Sequence, residues 1–278
     1  CGQTGTGKSV VINEKVGKNM PDKYVPKNMA FSASTSANMT QDTIDAVMDK
    51  RRKGIFGPPV GKKMLIVIDD LNMPAKEEYG AQPPIEVIRQ WMDHKGWYDR
   101  KTFEVRNIVD IAFCGVMGPP GGGRTALTNR LMRHFNFLSF VEMGNSSIGT
   151  IFSTILGTWL QASFGSAQEV DGYLSLTDKM VTATNAVFKT VVKELLPTPA
   201  KAHYAFNLRD LAKVFQGVLM GDTKKLTTPS SVTTLWIHEC NRVFADRLVN
   251  DEDREWFLNL LKTQIDEVFG MKYDDLVT

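Results

Sequence analysis

Gly2-Gln3-Thr4-Gly5-Thr6-Gly7-Lys8-Ser9 matches the pattern G-x-x-x-x-G-K-[ST] at every fixed position. Gly2, Gly5 and Gly7 let the backbone curl so that successive N–H groups converge on phosphate oxygens. A helix starting near Lys8 adds the positive end of its dipole to the same anion. In such a loop Lys8 reaches the β- and γ-phosphates and the Ser9 hydroxyl ligates Mg²⁺. The reading is a nucleoside triphosphate site in an α/β domain. The loop begins one residue from the start of the chain, so a fragment is expected, with the strand feeding the loop absent. A sheet without that strand would leave two apolar ladders unpaired. The chain alone is therefore expected to fold poorly and to bind ATP weakly.

Met64-Leu-Ile-Val-Ile68 runs straight into Asp69-Asp70. A continuous apolar run rich in β-branched residues is the pattern of a strand buried on both faces. In phosphate-loop enzymes the first carboxylate at this strand end holds Mg²⁺, opposite the loop hydroxyl. Asp69 takes that place, and Asp70 stands where the attacking water is oriented.

The bulk numbers are ordinary. At 278 residues, with 42% hydrophobic and 23% charged residues, a sizeable core is available. Lys+Arg at 33 against Asp+Glu at 31 calls for neither nucleic acid nor an anionic membrane as a general partner. Cys1, Cys114 and Cys240 are widely spaced and form no metal or redox pattern, which fits a reducing compartment. No apolar stretch reaches membrane-spanning length.

Along the chain, a strand is predicted over 28–34 and a helix over 40–50 with Thr40 as N-cap. Arg51-Arg52-Lys53 reads as its solvated end, and 54–61 as a loop. Pro83-Pro84 opens a helix through Trp91, and 97–106 could form a hairpin. Residues 108–115 read as another buried strand, 128–134 as a short helix and 137–141 as a strand. After Asn145 helical patterns take over, at 148–164, 175–196, 208–220, 230–248 and 252–269. Two domains follow: an α/β nucleotide-binding domain over 1–144 and a helical domain over 145–278.

Three arginines are candidates. Arg209, in Asn207-Leu-Arg-Asp-Leu, opens a helix of the second domain and could reach a γ-phosphate. From the residues alone a surface arginine is the better-supported reading there. Arg130 and Arg133 lie just before the last strand, where an arginine can act in trans on a neighbouring module's ATP. Spacing does not separate that role from helix-end charge.

Taken together, Ile68-Asp69-Asp70-Leu-Asn-Met-Pro74, Tyr79-Gly-Ala-Gln-Pro-Pro84, Arg89-Gln-Trp91, Trp97-Tyr98-Asp99, Gly118-Pro-Pro-Gly-Gly-Gly-Arg124, Arg130-Leu-Met-Arg-His-Phe135 and Tyr204-Ala-Phe-Asn-Leu-Arg-Asp210 closely resemble dynein heavy chains. The likeness is to the third AAA+ module of the motor ring, in the axonemal branch, and runs from Cys1 to about Met220. It implies a P-loop AAA+ domain, a parallel sheet flanked by helices with its first central strand missing, followed by an all-helical subdomain. It further implies a microtubule motor of the axoneme, in cilia or flagella, with neighbouring AAA+ modules as direct partners. Intermediate and light chains and microtubules would be met through other parts of the parent protein. ATP or ADP with Mg²⁺ would be the ligands.

The resemblance implies that Gly2, Gln3, Thr4, Gly5, Thr6, Gly7, Lys8 and Ser9 form the nucleotide loop. Ser9 and Asp69 would hold Mg²⁺, Asp70 would stand at the water-activating position, Arg209 would be the second sensor, and Arg130 the finger in trans with Arg133 as alternate. Two departures stand out. Asp70 replaces the usual Glu, and a misplacement of about an ångström can cost on the order of a hundredfold in rate. Gly118 stands where a polar first sensor is usual. Binding is therefore expected with slow hydrolysis, which suits a regulatory module. The competing reading is a stand-alone AAA+ remodelling ATPase of the unfoldase or clamp-loader type.

Overall fold

The computed structural model describes residues 1–165 and 170–277 and divides into two compact units, 1–142 and 143–278. In the first, β1 (Tyr24–Ala30), β4 (Lys63–Asp69) and β7 (Ile111–Gly115) form a parallel sheet in the order β1-β4-β7. The apolar run in β4 is sorted by the two-residue period of a strand. Met64, Ile66 and Ile68 enter one core with Phe31, Ile44, Ile85, Ile88 and Trp91, whereas Val67 enters another with Val16 and Val116. The first of these cores involves α2 (Ala37–Asp45) and α3 (Pro83–His94), and the second lies under α1 (Lys8–Lys18). Each fully buried Ile contributes roughly 1.5–3 kcal/mol, so burial on both sides makes β4 the anchor of this unit.

A second sheet is built from β2 (Asp49–Arg52), β3 (Ile55–Gly57), β5 (Gly96–Tyr98) and β6 (Val105–Ile108), in the order β2-β3-β6-β5. It corrects several sequence expectations. The predicted helix over 40–50 starts earlier, capped by Ser36 accepting from the Met39 amide, and stops at Asp45. Arg51 and Arg52 are strand residues rather than a helix end, because Gly54 at φ 72° turns the chain and Lys50 and Arg52 pair with Phe56 and Ile55. Arg51 is further held by Asp110 at 2.7 Å. The strand expected over 108–115 is two strands, β6 and β7, split where Asp110 adopts φ 57°. β1 begins at Tyr24 rather than Asn28. Pro26 is tolerated because β1 is an edge strand. Over 137–141 the pairing is a single parallel bridge, Gly2 with Phe140.

The hairpin joining β5 and β6 carries a titration signature. Asp99 accepts hydrogen bonds from the backbone amides of Thr102 (3.0 Å) and Lys101 (2.7 Å) and pairs with Arg106. These donors, the amides first, hold its carboxyl down at about 2. A depressed pKa gives stability that is present above the unfolded value of about 3.9 and lost as pH falls through the folded value. Amide protection at Lys101 and Thr102 is therefore expected to fall between about pH 4 and pH 2. Asp99→Asn should flatten that dependence in hydrogen exchange. An unchanged pH profile in the variant would remove Asp99 as the cause.

The second unit is helical: α5 (Asn145–Phe164), α6 (Val170–Glu194), α7 (Leu208–Leu219), α8 (Pro229–Val243) and α9 (Asp251–Gln264), the last continuing as a π-helical turn over Ile265–Phe269. In α7, Leu211, Val214, Phe215 and Val218 follow helical spacing and are buried. Trp236 of α8 is wholly buried and donates from Nε1 to Thr184 Oγ1 at 2.8 Å. Gly217 gives room to Glu239, whose carboxylate a Cβ there would displace. Cys240 is wholly buried, which pushes its thiol well above the ordinary range and leaves it unreactive. No helix among the described residues is long and apolar enough to cross a membrane.

Candidate functional site

All three strands of the parallel sheet end at one rim, and the glycine loop meets that rim directly. The Gly2 amide donates to Met117 O at 3.2 Å, just past the end of β7, and the Phe140 amide donates to Cys1 O at 2.7 Å. Gly5 and Gly7 take φ 87° and 79°, a left-handed backbone that Cβ-bearing residues rarely adopt. Gly7 is the N-cap of α1 and makes no side-chain cap, so the first amides of α1 are left to face an anion. Thr6 is buried and donates to Gln3 O at 2.9 Å, which closes the curl. Lys8 Nζ lies over the same loop, donating to Gly2 O at 2.8 Å and Gln3 O at 2.5 Å.

Ser9 Oγ donates to Asp69 Oδ2 at 2.7 Å. The two residues are 60 positions apart in sequence and meet where the start of α1 adjoins the end of β4. A cavity of about 280 Å³ opens at this pair, lined also by Asn13, Asn28 and Val116. A hydroxyl and one carboxylate are hard oxygen donors that suit Mg²⁺, which keeps several waters and takes its remaining ligands from phosphate. Among the described residues there is no group of three or more His, Cys, Asp and Glu side chains able to hold a metal alone. The donor set therefore fits a nucleotide-borne Mg²⁺ rather than a dedicated protein cage.

Beyond Asp69 the backbone flips. Asp70 adopts φ 52° and its amide donates to Asp69 Oδ1 at 3.0 Å. A non-glycine residue in this region is uncommon, and such conformations cluster at functional sites. Asp70 Oδ1 in turn faces Arg124 Nη2 at 3.2 Å. The Gly-rich segment carrying Arg124 is pinned from below. Asn72, buried, donates from Nδ2 to Gly118 O at 2.9 Å and Thr125 O at 3.1 Å. Gln82 donates to Pro74 O at 2.6 Å and Thr125 Oγ1 at 2.7 Å.

Asn72, Gln82, Thr125 and Arg124 were not among the residues chosen from sequence. For Asn72, Gln82 and Arg124 the only signal is membership of the runs Ile68–Pro74, Tyr79–Pro84 and Gly118–Arg124, and Thr125 lies just outside the last of these. Gly118 indeed brings no side chain, but the space above it is filled: a Cβ there would lie 2.8 Å from both Cδ and Nε of Arg124.

The remaining arginines separate. Arg133 donates to Asp93 Oδ1 at 2.6 Å, on α3, and His134 shares that carboxylate at 3.0 Å. Arg130 is exposed, on α4 (Asn129–Met132), and among the described residues no ion pair engages it. Arg209, in the helical unit, is exposed at the start of α7. There Asn207 and Asp210 form a reciprocal cap, Asn207 accepting from the Arg209 amide at 2.8 Å. Asp210 is buried against Arg247 at 3.1 Å, so the Asn-Leu-Arg-Asp run fixes the helix start from which Arg209 extends. Cys114 on β7 is half-buried, and desolvation raises its thiol, so it offers no nucleophile to the site.

Residues 1–143 match the family described as the P-loop containing dynein motor region, and residues 180–278 match the AAA+ lid domain. The chain is 57% identical over 268 residues to dynein axonemal heavy chain 1 of Homo sapiens, covering 94% of this chain and 6% of that protein. It is 46% identical over 268 residues to dynein axonemal heavy chain 3 of Homo sapiens, covering 96% and 6%. It is 45% identical over 274 residues to dynein axonemal heavy chain 12 of Mus musculus, covering 98% and 9%. The chain thus spans only a small part of the length of these relatives.

Proposed function

Because this chain belongs to the dynein motor region family of AAA+ P-loop proteins, we propose that it is a nucleotide-binding module in the motor ring of an axonemal dynein heavy chain. The contact that carries the reading is Ser9 Oγ to Asp69 Oδ2 at 2.7 Å, with Lys8 held over the glycine loop beside it. The loop amides and Lys8 bind and orient the phosphates. Ser9 and Asp69 would hold a nucleotide-borne Mg²⁺, which would neutralise phosphate charge. Asp70 stands beside this pair as the group nearest a water-orienting role.

The module is the third of the ring and serves regulation more than force production. Two features support that reading. Asp70 is one methylene shorter than glutamate, so its carboxylate is withdrawn from the position that orients water. The binding residues, by contrast, are all present. Arg130 is the finger offered to the preceding module's nucleotide, favoured over Arg133 because Asp93 occupies the latter. By family resemblance Arg209 would be the second sensor. Through the rest of the heavy chain the protein would act as a microtubule motor of cilia or flagella, assembled with intermediate and light chains.

The test is turnover at this module within the intact motor. Single-turnover release of phosphate assigned to residues 1–278 is expected to be slow, and Asp70→Asn should lower it only a few-fold. Fast turnover abolished by Asp70→Asn would sink the regulatory reading.

A further inference from the structure

We propose that Arg124 is the residue by which this site tells a triphosphate from a diphosphate, and that Gly118 is glycine to make room for it. The inference rests on the nucleotide-binding reading above. The contacts form one chain: Ser9 to Asp69 at 2.7 Å, Asp69 to the Asp70 amide at 3.0 Å, and Asp70 to Arg124 at 3.2 Å. A nucleotide whose phosphates lie on loop 2–9, with its metal at Ser9 and Asp69, carries its terminal phosphate towards Asp70. Arg124 is the cation paired with that carboxylate.

Three observations say that Arg124 is placed for more than a surface ion pair. Its Nε is buried with no hydrogen-bond partner, so the guanidinium fork is only partly used by Asp70. A guanidinium presents donors in the geometry that phosphate accepts two at a time. Gly118 is not in the left-handed region, so no backbone demand explains it. What it provides is space, because a Cβ there would press on Cδ and Nε of Arg124 at 2.8 Å. The segment is also held stiffly, by Asn72 on Gly118 O and by Asn72 and Gln82 on Thr125.

The arrangement works as an exchange of partners. With a diphosphate, Arg124 stays on Asp70 and neutralises it. With a triphosphate, the terminal phosphate competes for the guanidinium and Asp70 is released. The pair is partly exposed, with side chains 25% and 42% accessible, so breaking it costs little. A doubly negative phosphate group is the stronger acceptor.

The experiment uses the intact motor. It is photolabelled with 8-azido-ADP against graded ADP or the non-hydrolysable triphosphate AMP-PNP, and label is counted by mass spectrometry on peptides of residues 1–142. Arg124→Ala is expected to weaken competition by AMP-PNP roughly ten- to a hundredfold, the loss of a charged hydrogen bond. Competition by ADP should change less than about threefold. Gly118→Ala, which crowds Arg124 without touching the phosphates, should shift AMP-PNP in the same direction by a few-fold. Arg124→Lys, which keeps the charge and loses the fork, should fall between. Equal weakening of both nucleotides, as a merely structural role would produce, overturns the inference, and so does no change in either. Failure of both nucleotides to compete in the unaltered motor overturns the nucleotide-binding reading itself, a result distinct from a flat Arg124 series.

Discussion

Lys8→Ala is expected to empty this module of nucleotide, weakening ATP by on the order of a hundredfold or more and ADP, which offers it one phosphate fewer, by at least about tenfold. Lys8 is the side-chain cation on the glycine loop, donating to Gly2 O and Gln3 O. A charged hydrogen bond to phosphate is worth about 1.5–3 kcal/mol, and a lysine touching two phosphates forfeits more than one of them. Each 1.4 kcal/mol is about tenfold in affinity. The fold should survive the change. Val16 and the core under α1 do not involve Lys8, and the loop amides retain their glycine geometry. The check is photolabelling of the intact motor, with amide exchange across 8–18 as the control. Retained labelling with unchanged affinity would mean that phosphates do not sit on this loop. The pattern also differs from that expected for Arg124: Lys8 should affect both nucleotides, Arg124 only the triphosphate.

The second large effect concerns the helical unit. Trp236→Ala should destabilise it by roughly 3–5 kcal/mol, the usual cost of emptying a fully buried aromatic site. Trp236 has no exposed surface and packs at 5.1 Å, ring centre to ring centre, from Phe269. Its indole N–H also reaches Thr184 Oγ1. That hydroxyl donates to Met180 O at 2.6 Å, so it keeps one partner when the indole goes. The cost is thus mostly cavity, whereas Thr184→Val, which keeps the ring but leaves its buried N–H without this acceptor, should cost about 1–3 kcal/mol. Since whole domains are stable by about 5–15 kcal/mol, the larger change should open α6 and α8 to hydrogen exchange. Destabilisation below about 1 kcal/mol would show that these helices do not depend on this packing.

Much of the first unit was legible because its signals are local. The glycine loop is a backbone requirement written in three positions, and β4 is an apolar run that only a doubly buried strand explains. The same local reasoning failed at residues 46–61. Val47 and Met48 continue a helical spacing from Ile44, yet the chain turns into β2, because Phe56 and Ile55 supply strand partners that a single helix cannot see. It failed again at 108–115, where one apolar run serves two sheets and Asp110 makes the corner.

The amino-acid sequence by itself determined the nucleotide loop, the acidic strand end and the change from strands to helices near residue 145. Each is a pattern of residue types over a few consecutive positions, and the physics that reads it acts over the same few positions. Only the tertiary structure decided which charges meet. Arg124 lies on Asp70 across 54 residues and the exposed Arg133 on Asp93 across 40, while for Arg130, three residues away, there is no ion pair among the described residues. No periodicity distinguishes these arginines. Their partners are set by where the backbone of another segment passes, and an ion pair or a crowded Cβ exists only once both segments are in place.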